Sequence, residues 1–352
     1  WEGCFCLVLF FCLTLSVEGL DNGLGLNPAM GYNSWNHLKC HGLSAHAIMR
    51  VADAMVDRGL LRAGYEYLNV DDCWASSRDP ATGRLVPDPA VFPPGPAGED
   101  GLAAVIAHVH ARGLKFGLYT DRGNRTCAGR PGSAGREELD AATFAAWGVD
   151  YLKDDSCFAP PLPAAAAAAY AAMRDALNRT GRPVYFSLCG WSPWYAAVGA
   201  GLGNSWRISG DVTDWPSLYR AVRLSEGLGR FAGPGGWNDP DMLLGSGGGG
   251  AAALRLTPRQ SRAQMSLWAV MAAPLLVGAD VTNLSAWDAE TLTNPRAIAI
   301  AQDPLGRQGE PILSTCPPMG DGDDGVPPCF QVWARPLASG AFALAAVNFA
   351  PG

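Results

Sequence analysis

Short apolar runs alternate with longer stretches of helical periodicity along most of this sequence, and this alternation constrains the fold more than any other feature. Eight runs have the length and composition of buried strands: Met30–Asn33, Tyr67–Val70, Lys115–Thr120, Tyr151–Lys153, Val184–Leu188, Trp206–Ile208, Gly235–Asn238 and Leu275–Gly278. Most of the stretches between them have a helical pattern: Ser44–Arg58, Gly101–Arg112, Arg136–Trp147, Pro163–Asn178, Trp215–Gly227, Thr257–Ala273 and Ala286–Ile300. The fifth connection, Pro193–Ala200, is shorter.

The spacing of these strands predicts a parallel sheet. Successive strands mostly begin about 30–40 residues apart, which leaves room for one crossover helix at each step. Eight strand–helix units predict an α/β fold, a (β/α)8 TIM barrel. A doubly wound open sheet is the alternative, but no G-x-G-x-x-G turn follows the first predicted strand.

The pattern changes after Gln302. Three runs separated by Pro and Gly turns predict antiparallel strands: Ile312–Ser314, Cys329–Ala334 and Ala341–Asn348. We therefore expect the barrel to span residues 20–308 and a C-terminal antiparallel β domain to begin within residues 309–352. Because the pattern stops at Gly352, we expect this second domain to be incomplete.

Residues 1–19 have the pattern of a signal peptide. The apolar run Cys4–Val17 is too short for a comfortable membrane span, and small residues precede a cleavage site before Leu20. No basic segment comes before the run, so we expect the N terminus to be clipped. No other stretch is long and apolar enough to span a bilayer, so we expect no span in the mature chain.

The overall composition is that of a globular protein and disfavours one class of partner. Hydrophobic residues make up 48% of the chain and charged residues 17%, which argues against disorder. The net charge of −7 disfavours nucleic-acid binding, which requires clustered Lys and Arg. All 5 His precede Ala111, which argues against a His-based zinc site spread through the chain. Neutral molecules such as sugars remain as candidate ligands.

Cysteines and glycosylation motifs indicate the secretory route. Seven cysteines remain after the signal peptide, and an odd number leaves at least one thiol without a partner in the chain. Asn124, Asn178 and Asn283 each begin an Asn-X-Ser/Thr motif. We expect the protein outside the cell, in the cell wall, or in a vacuole or lysosome.

Acidic and aromatic residues recur where the predicted strands end. The residues at these ends are Trp35, Asp71, Asp72, Tyr119, Asp121, Lys153, Asp155, Trp191, Arg207, Asp211, Asp239 and Asp241. The carboxyl ends of barrel strands form the active-site face. Carboxylates bind pairs of hydroxyls and aromatic faces stack on pyranose rings, so this set favours a sugar. Glycoside hydrolysis needs two carboxyl groups, one to protonate the leaving oxygen and one to attack or to activate water.

Strand alternation indicates which two carboxyl groups act. Lys153 and Asp155 share one face of their strand, and Asp154 lies on the other. A neighbouring ammonium lowers a carboxyl pKa, so Lys153 predicts an ionised nucleophile at Asp155. Asp211, four residues after Arg207, is the predicted acid/base, about 5 Å from Asp155. The structural alternatives are a Lys153–Asp155 ion pair and a helix cap at Asp211.

Ten motifs in this order resemble glycoside hydrolase family 27, the α-galactosidase (melibiase) family of clan D, and most of all its plant and algal members. The resemblance runs from Leu20 to Gly352. The motifs are LDNGLG, MGYNSWNH, NVDDCW, KFGLYTDRGNRTC, YLKDDSC, SLCGW, WRISGD, GPGGWNDPDML, APLLVGAD and QDPLGRQG.

The resemblance implies a catalytic (β/α)8 barrel followed by a β-sandwich. It also implies retaining hydrolysis of terminal α-linked galactose through a covalent galactosyl-enzyme, without a cofactor or metal. Asp155 matches the nucleophile and Asp211 the acid/base. Residues matching the galactose-binding or pocket-lining positions are Trp35, Asp71, Asp72, Tyr119, Cys127, Lys153, Cys189, Trp191, Arg207, Asp241 and Met242. Implied disulfides are Cys40–Cys73 and Cys127–Cys157. If Cys316 pairs with Cys329, Cys189 is the odd cysteine.

Two positions depart from the family pattern. The residue before the nucleophile is usually aromatic, and here it is Asp154, which strand alternation directs outward. The residue after the pocket cysteine is often Glu or another polar residue, and here it is Gly190. A small residue there could admit a 2-acetamido group. The alternatives are thus an α-N-acetylgalactosaminidase or a β-L-arabinopyranosidase on the same scaffold, or a galactose-binding protein without catalysis.

Overall fold

A barrel of parallel strands forms the body of the protein. The structure is a computed structural model, and it describes residues 22–95, 98, 100–247, 256–320 and 325–350. Within them, eight strands form one sheet in the order β10-β1-β2-β5-β6-β7-β8-β9. These strands are β1 Met30–Asn33, β2 Tyr67–Asn69, β5 Lys115–Asp121, β6 Tyr151–Asp155, β7 Tyr185–Leu188, β8 Ser205–Arg207, β9 Trp237–Asp239 and β10 Leu275–Val277.

The sheet closes on itself next to β9. Leu243 forms a parallel bridge with Val277 of β10, and its amide donates to the carbonyl of Leu276. All seven neighbouring pairs in the sheet are parallel. The predicted barrel is therefore confirmed, with strand bounds that differ from the expected ones by a few residues.

Helices connect the strands, and local capping determines where several begin. The helices are α1 Trp35–Leu38, α2 Ala45–Asp57, α3 Gly101–Ala111, α4 Glu137–Trp147, α5 Pro163–Arg179, α6 Ala196–Gly199, α7 Trp215–Leu224, α8 Pro258–Val270, α9 Ala286–Leu292 and α10 Pro295–Ala301. Ser44 caps α2 by accepting from the amide of Ala47. Thr257 and Gln260 form a capping box at α8. The single helix expected over Ala286–Ile300 was wrong, because α9 ends at Leu292 with Thr293 as its C-cap and Asn294 caps the start of α10.

One hairpin was not expected from the sequence. Strands β3 Ala75–Arg78 and β4 Leu85–Pro87 pair antiparallel after β2. The guanidinium of Arg78 ties this hairpin to the buried carboxylate of Asp140 on α4. The segment ASSR lacks the apolar alternation of a strand, so an ion pair to another element holds the hairpin where the pattern predicts none.

A three-stranded antiparallel sheet follows the barrel. Its strands are β11 Glu310–Ser314, β12 Phe330–Pro336 and β13 Phe342–Asn348. One face packs against the barrel through Trp333 and Arg335, and Arg335 donates to the carbonyl of Ala269 on α8. Phe342 and Leu344 are exposed on the other face.

Two further expectations concern the ends and the membrane. The expected signal peptide, residues 1–19, lies outside the described residues. Within the described part of the chain, no helix has the length and apolarity required to cross a membrane.

Candidate active site

A cavity of about 290 Å³ opens at the carboxyl ends of the barrel strands. Its volume is at the lower end of the range for small-molecule sites, which suits a single sugar ring. Its lining residues are Trp35, Asp71, Asp72, Tyr119, Cys127, Lys153, Asp155, Trp191, Gly210, Asp211 and Met242. Gly210 was not among the expected site residues. Three expected residues, Cys189, Arg207 and Asp241, are buried outside the lining. Cys189 contacts Trp191 and Arg207 contacts Asp211, both in the lining, and Asp241 pairs with Arg207.

Asp155 lies at the end of β6 with its side chain 5% exposed. Its Oδ2 accepts a hydrogen bond from the Tyr119 hydroxyl at 2.9 Å, and its Oδ1 accepts from the amide of Ser156 at 2.9 Å. Burial raises the pKa of Asp155, and Lys153 and these donors offset only part of that rise. The expectation that Lys153 leaves Asp155 with a lowered pKa is therefore wrong, because burial outweighs the attraction.

Lys153 forms its direct ion pair with Asp71 rather than with Asp155. The Lys153 Nζ lies 2.8 Å from Asp71 Oδ2, and Asn33 Nδ2 donates to the same oxygen at 2.8 Å. The Lys153 ammonium also lies 5.2 Å from the centre of the Tyr119 ring. Residues from β1, from the segment that follows β2, and from β5 and β6 therefore meet at one corner of the cavity. The ammonium of Lys153 is the cation on the side of Asp155, the candidate nucleophile.

Asp211 has a different environment, although it lines the same cavity. Its side chain is 54% exposed, and its Oδ1 lies 3.1 Å from Arg207 Nη2. Burial raises the pKa of Asp211, but Arg207, Lys153 and Lys39 outweigh that effect, so the net shift is downward. The alternative role as a helix cap falls to Asp214, whose carboxylate accepts from the amide of Ser217 at the start of α7.

Arg207 links Asp211 to a third carboxylate. Arg207 Nη1 lies 2.9 Å from Asp241 Oδ1, and the amide of Val212 donates to Asp241 Oδ2 at 2.7 Å. Both Arg207 and Asp241 are buried. This ion pair joins β8 to the segment after β9 and fixes the loop that carries Asp211.

The loops around the cavity are joined by disulfides. Cys40 pairs with Cys73, next to the lining residue Asp72, and Cys127 in the cavity wall pairs with Cys157. Asp72 accepts from the amides of Cys73 and Ala128, and so bridges both disulfide-linked loops.

The three remaining cysteines among the described residues form one further disulfide and one free thiol. Cys316 pairs with Cys329 in the C-terminal sheet, and Cys189 is a free, buried thiol. The indole nitrogen of Trp191 donates to the Cys189 sulfur at 3.3 Å, which holds the exposed Trp191 ring beside the cavity.

Asp121 is a residue near the site to which the sequence assigned no role. Its oxygens accept from the amides of Gly123 and Cys157, and its side chain lies within 4.8 Å of the Asp155 carboxylate. Burial raises the pKa of Asp121 to about 7. Its position at the carboxyl end of β5 is the sequence feature that could have identified it as a site residue. Asp121, Asp155, Cys127 and Cys157 do not form a metal centre, because both sulfurs belong to a disulfide.

The two family departures have specific surroundings. Asp154 faces away from the cavity but is fully buried, and neither of its oxygens has a hydrogen-bond partner among the residues that the structure describes. Burial raises the pKa of Asp154 well above its ordinary value. At Gly190, an added Cβ would lie 1.9 Å from a ring carbon of Tyr195. The space beside Gly190 is therefore filled by an aromatic ring.

An eight-stranded parallel barrel whose strand ends place acidic and aromatic side chains around a sugar-sized cavity defines a barrel glycoside hydrolase. Comparison with known proteins narrows this class. Residues 27–303 match the family described as alpha galactosidase A (Melibiase_2). The chain belongs to this family.

Individual relatives agree with this assignment. The chain is 43% identical over 322 residues to an alpha-galactosidase of Cyamopsis tetragonoloba, covering 90% of this chain and 72% of that one. It is 43% identical over 332 residues to alpha-galactosidase 3 of Arabidopsis thaliana, covering 94% and 70%. The structure of the Saccharomyces cerevisiae α-galactosidase with raffinose superposes with a TM-score of 0.80 at 36% identity, covering 93% of this chain and 75% of that one. The resemblance to plant members is confirmed.

Proposed function

We propose that this α-galactosidase hydrolyses terminal α-linked galactose with retention of configuration, using Asp155 as nucleophile and Asp211 as acid/base. The observation that carries this assignment is the contrast between two carboxyl groups in one cavity. The residue Asp155, at the carboxyl end of β6, is 5% exposed, whereas the side chain of Asp211 is 54% exposed and paired with Arg207. A nucleophile must reach the anomeric carbon of a bound ring, and an acid/base must reach both the leaving oxygen and water.

The first step transfers the galactosyl group to the protein. An Asp155 oxygen forms a bond to the anomeric carbon while the bond to the glycosidic oxygen breaks. Asp211 gives its proton to that oxygen, so the aglycone leaves as a neutral alcohol. Asp155 loses its negative charge on becoming an ester, and Asp211 gains one beside Arg207, which stabilises it.

The second step releases galactose. Asp211, now ionised, takes a proton from a water molecule, and the water oxygen bonds to the anomeric carbon as the ester bond to Asp155 breaks. Asp155 returns to its carboxylate, and Tyr119 and the Ser156 amide donate hydrogen bonds to it as the charge develops. Two displacements at one carbon restore the starting configuration.

The remaining expected residues are proposed to bind the sugar. Asp71, Asp72 and Lys153 offer charged partners for hydroxyl groups along one wall of the cavity. Trp35 and Trp191 offer aromatic surface for the apolar face of a pyranose. Arg207 and Asp241 are proposed to act from beneath this wall, by fixing the Asp211 loop.

Two variants test the catalytic roles. Asp155→Asn should abolish turnover of an aryl α-galactoside. Asp211→Ala should slow galactosides with poor leaving groups far more than activated ones, because an activated phenol needs little protonation. Asp53→Asn, a half-buried position on α2 outside the cavity lining, is the control. Equal losses on both kinds of substrate would contradict the acid role, and NMR should show α-galactose as the first product.

The surroundings of Gly190 bear on the choice of sugar. The family resemblance places residue 190 near the 2-substituent of the sugar, and the Tyr195 ring occupies the space into which a Cβ at this position would extend. This supports galactose over N-acetylgalactosamine. Aryl α-galactoside, α-N-acetylgalactosaminide and β-L-arabinopyranoside assayed side by side test the choice. Galactose binding by calorimetry without any hydrolysis would instead support a binding protein.

The natural substrates and compartment are proposed at the level of class. Oligosaccharides, galactomannans and galactolipids carry terminal α-linked galactose. Disulfides at Cys40–Cys73, Cys127–Cys157 and Cys316–Cys329 support an oxidising compartment of the secretory route. We infer export to the cell exterior or wall, or delivery to a vacuole or lysosome.

A further inference from the structure

Lys39 contacts Trp35, a residue of the cavity wall, and has no role in the mechanism above. It follows helix α1 and precedes Cys40 of the Cys40–Cys73 disulfide. Its half-buried ammonium lies 4.5 Å from the centre of the Trp35 ring, which lines the cavity. The side chain is therefore held over an aromatic wall of the site rather than extended into solvent.

The backbone at Lys39 has a conformation that glycine favours. Its φ is 48° and its ψ is −156°, and its amide donates to the carbonyl of Trp35. A side chain in this region costs on the order of 1–3 kcal/mol, and such residues cluster at functional sites. Trp191 and Asp241, both at the site, also have positive φ. The backbone at Lys39, the C-cap of α1, is therefore held in a conformation that costs stability.

The Lys39 ammonium has no ion pair or hydrogen bond within the described part of the chain. Its attractive interactions are longer-range, and the strongest is with Asp211, followed by Asp71 and Asp241. Burial lowers the pKa of Lys39, as expected for an ammonium that has lost water without gaining a direct partner.

Lys39 lies over Trp35, in the wall of the cavity that Asp211 also lines, and Asp211 is the carboxylate that attracts its ammonium most. Under the proposed function, Asp211 protonates the glycosidic oxygen, so the leaving group lies on its side of the cavity. The walls around it are rich in carboxylates, and an anionic aglycone would be repelled there unless a cation faced it. Lys39 is a cation in that position without a direct partner.

We propose that Lys39 selects α-galactosides whose aglycone carries an anionic group, a carboxylate or a sulfate ester. This inference rests on the proposed function and deepens it. The anion supplies the direct partner that the ammonium lacks, and a charge-assisted hydrogen bond in a half-buried site contributes to binding of that substrate and of its transition state.

A pair of substrates tests the proposal. The 4-(carboxymethyl)phenyl and 4-(carbamoylmethyl)phenyl α-galactosides differ in charge, and the methylene group keeps their leaving abilities similar. We expect wild-type enzyme to have the higher kcat/KM for the anionic substrate at low salt. Lys39→Gln should lower the anionic-to-neutral ratio about five- to tenfold, and added salt should lower it in the wild type.

Two controls separate this role from a structural one. Lys39→Gly relaxes the backbone, so it should keep or raise the Tm while losing the same selectivity. Lys115→Gln removes a lysine that pairs with Glu66 at the start of β5, at the opposite end of the barrel, and should leave the ratio unchanged.

The outcomes distinguish the two proposals. If wild-type enzyme hydrolyses both substrates and the ratio is the same in Lys39→Gln, the role of Lys39 is refuted while the proposed function stands. If wild-type enzyme hydrolyses neither substrate, the proposed function fails and the inference fails with it.

Discussion

The hydrogen bond from Tyr119 to Asp155 should set the acid limit of activity. The Tyr119 hydroxyl donates to Asp155 Oδ2 at 2.9 Å, and both side chains are buried. The bond stabilises the ionised carboxylate and so opposes the rise in the pKa of Asp155 that burial causes. Tyr119→Phe removes this donor with little change in shape.

The size of the effect follows from the charge on the acceptor. A hydrogen bond to a charged group contributes about 1.5–3 kcal/mol, and each 1.36 kcal/mol is tenfold in an equilibrium. The nucleophile acts only when ionised, so loss of the bond moves the acid limb of kcat/KM to higher pH. On that limb, the variant should be about ten- to a hundredfold less active than wild type, with a smaller difference at higher pH.

The assay is the pH profile of kcat/KM with an activated aryl α-galactoside, which needs little help from Asp211. Tyr185→Phe is a matched control, because its hydroxyl is buried in the same barrel but donates to the carbonyl of Asn204. That variant should keep the wild-type limb. An acid limb of Tyr119→Phe that superimposes on the wild-type limb would refute this account of Asp155.

Two further predictions concern stability. The folded-state pKa of Asp154 lies above its unfolded value, so its destabilising effect is absent below about pH 3.9 and grows as pH rises. Asp154→Asn should therefore flatten the fall of Tm between pH 5 and pH 8. Parallel plots of Tm against pH for the variant and the wild type would contradict this. Gly190→Ala places a Cβ 1.9 Å from the Tyr195 ring, which is buried and stacked on Trp194. Urea unfolding should show that the variant loses about 1–3 kcal/mol of unfolding free energy, and the loss should be smaller when Tyr195 is also replaced by Ala.

The barrel could be predicted because its signals are local. Each strand is a short apolar run and each helix a longer periodic one, and capping residues such as Ser44 and Thr257 mark where helices begin. The β3–β4 hairpin could not be predicted in this way. Its polar strand is held by the Arg78–Asp140 ion pair, and the two residues lie 62 positions apart in the chain.

The residues around the cavity could also be anticipated, because parallel strands bring their carboxyl ends to one rim. The partners within the site could not. Lys153 and Asp155 share a strand face, yet the ion pair that forms joins Lys153 to Asp71, which lies 82 positions away in the chain. Strand alternation turned Asp154 away from the cavity as expected, but only the packing around the barrel shows that it is buried with no hydrogen-bond partner in the described part of the chain.

The sequence by itself therefore determined the barrel and which acidic and aromatic side chains surround its mouth. Both follow from periodicity along the chain and from the geometry of parallel strands. The tertiary structure decided the direction in which each carboxyl pKa shifts, the contact of the Tyr195 ring with Gly190, and the lack of an ion pair at Lys39 among the described residues. The physical reason is that burial and electrostatic energy depend on neighbours in space, and most of those neighbours are distant in the sequence.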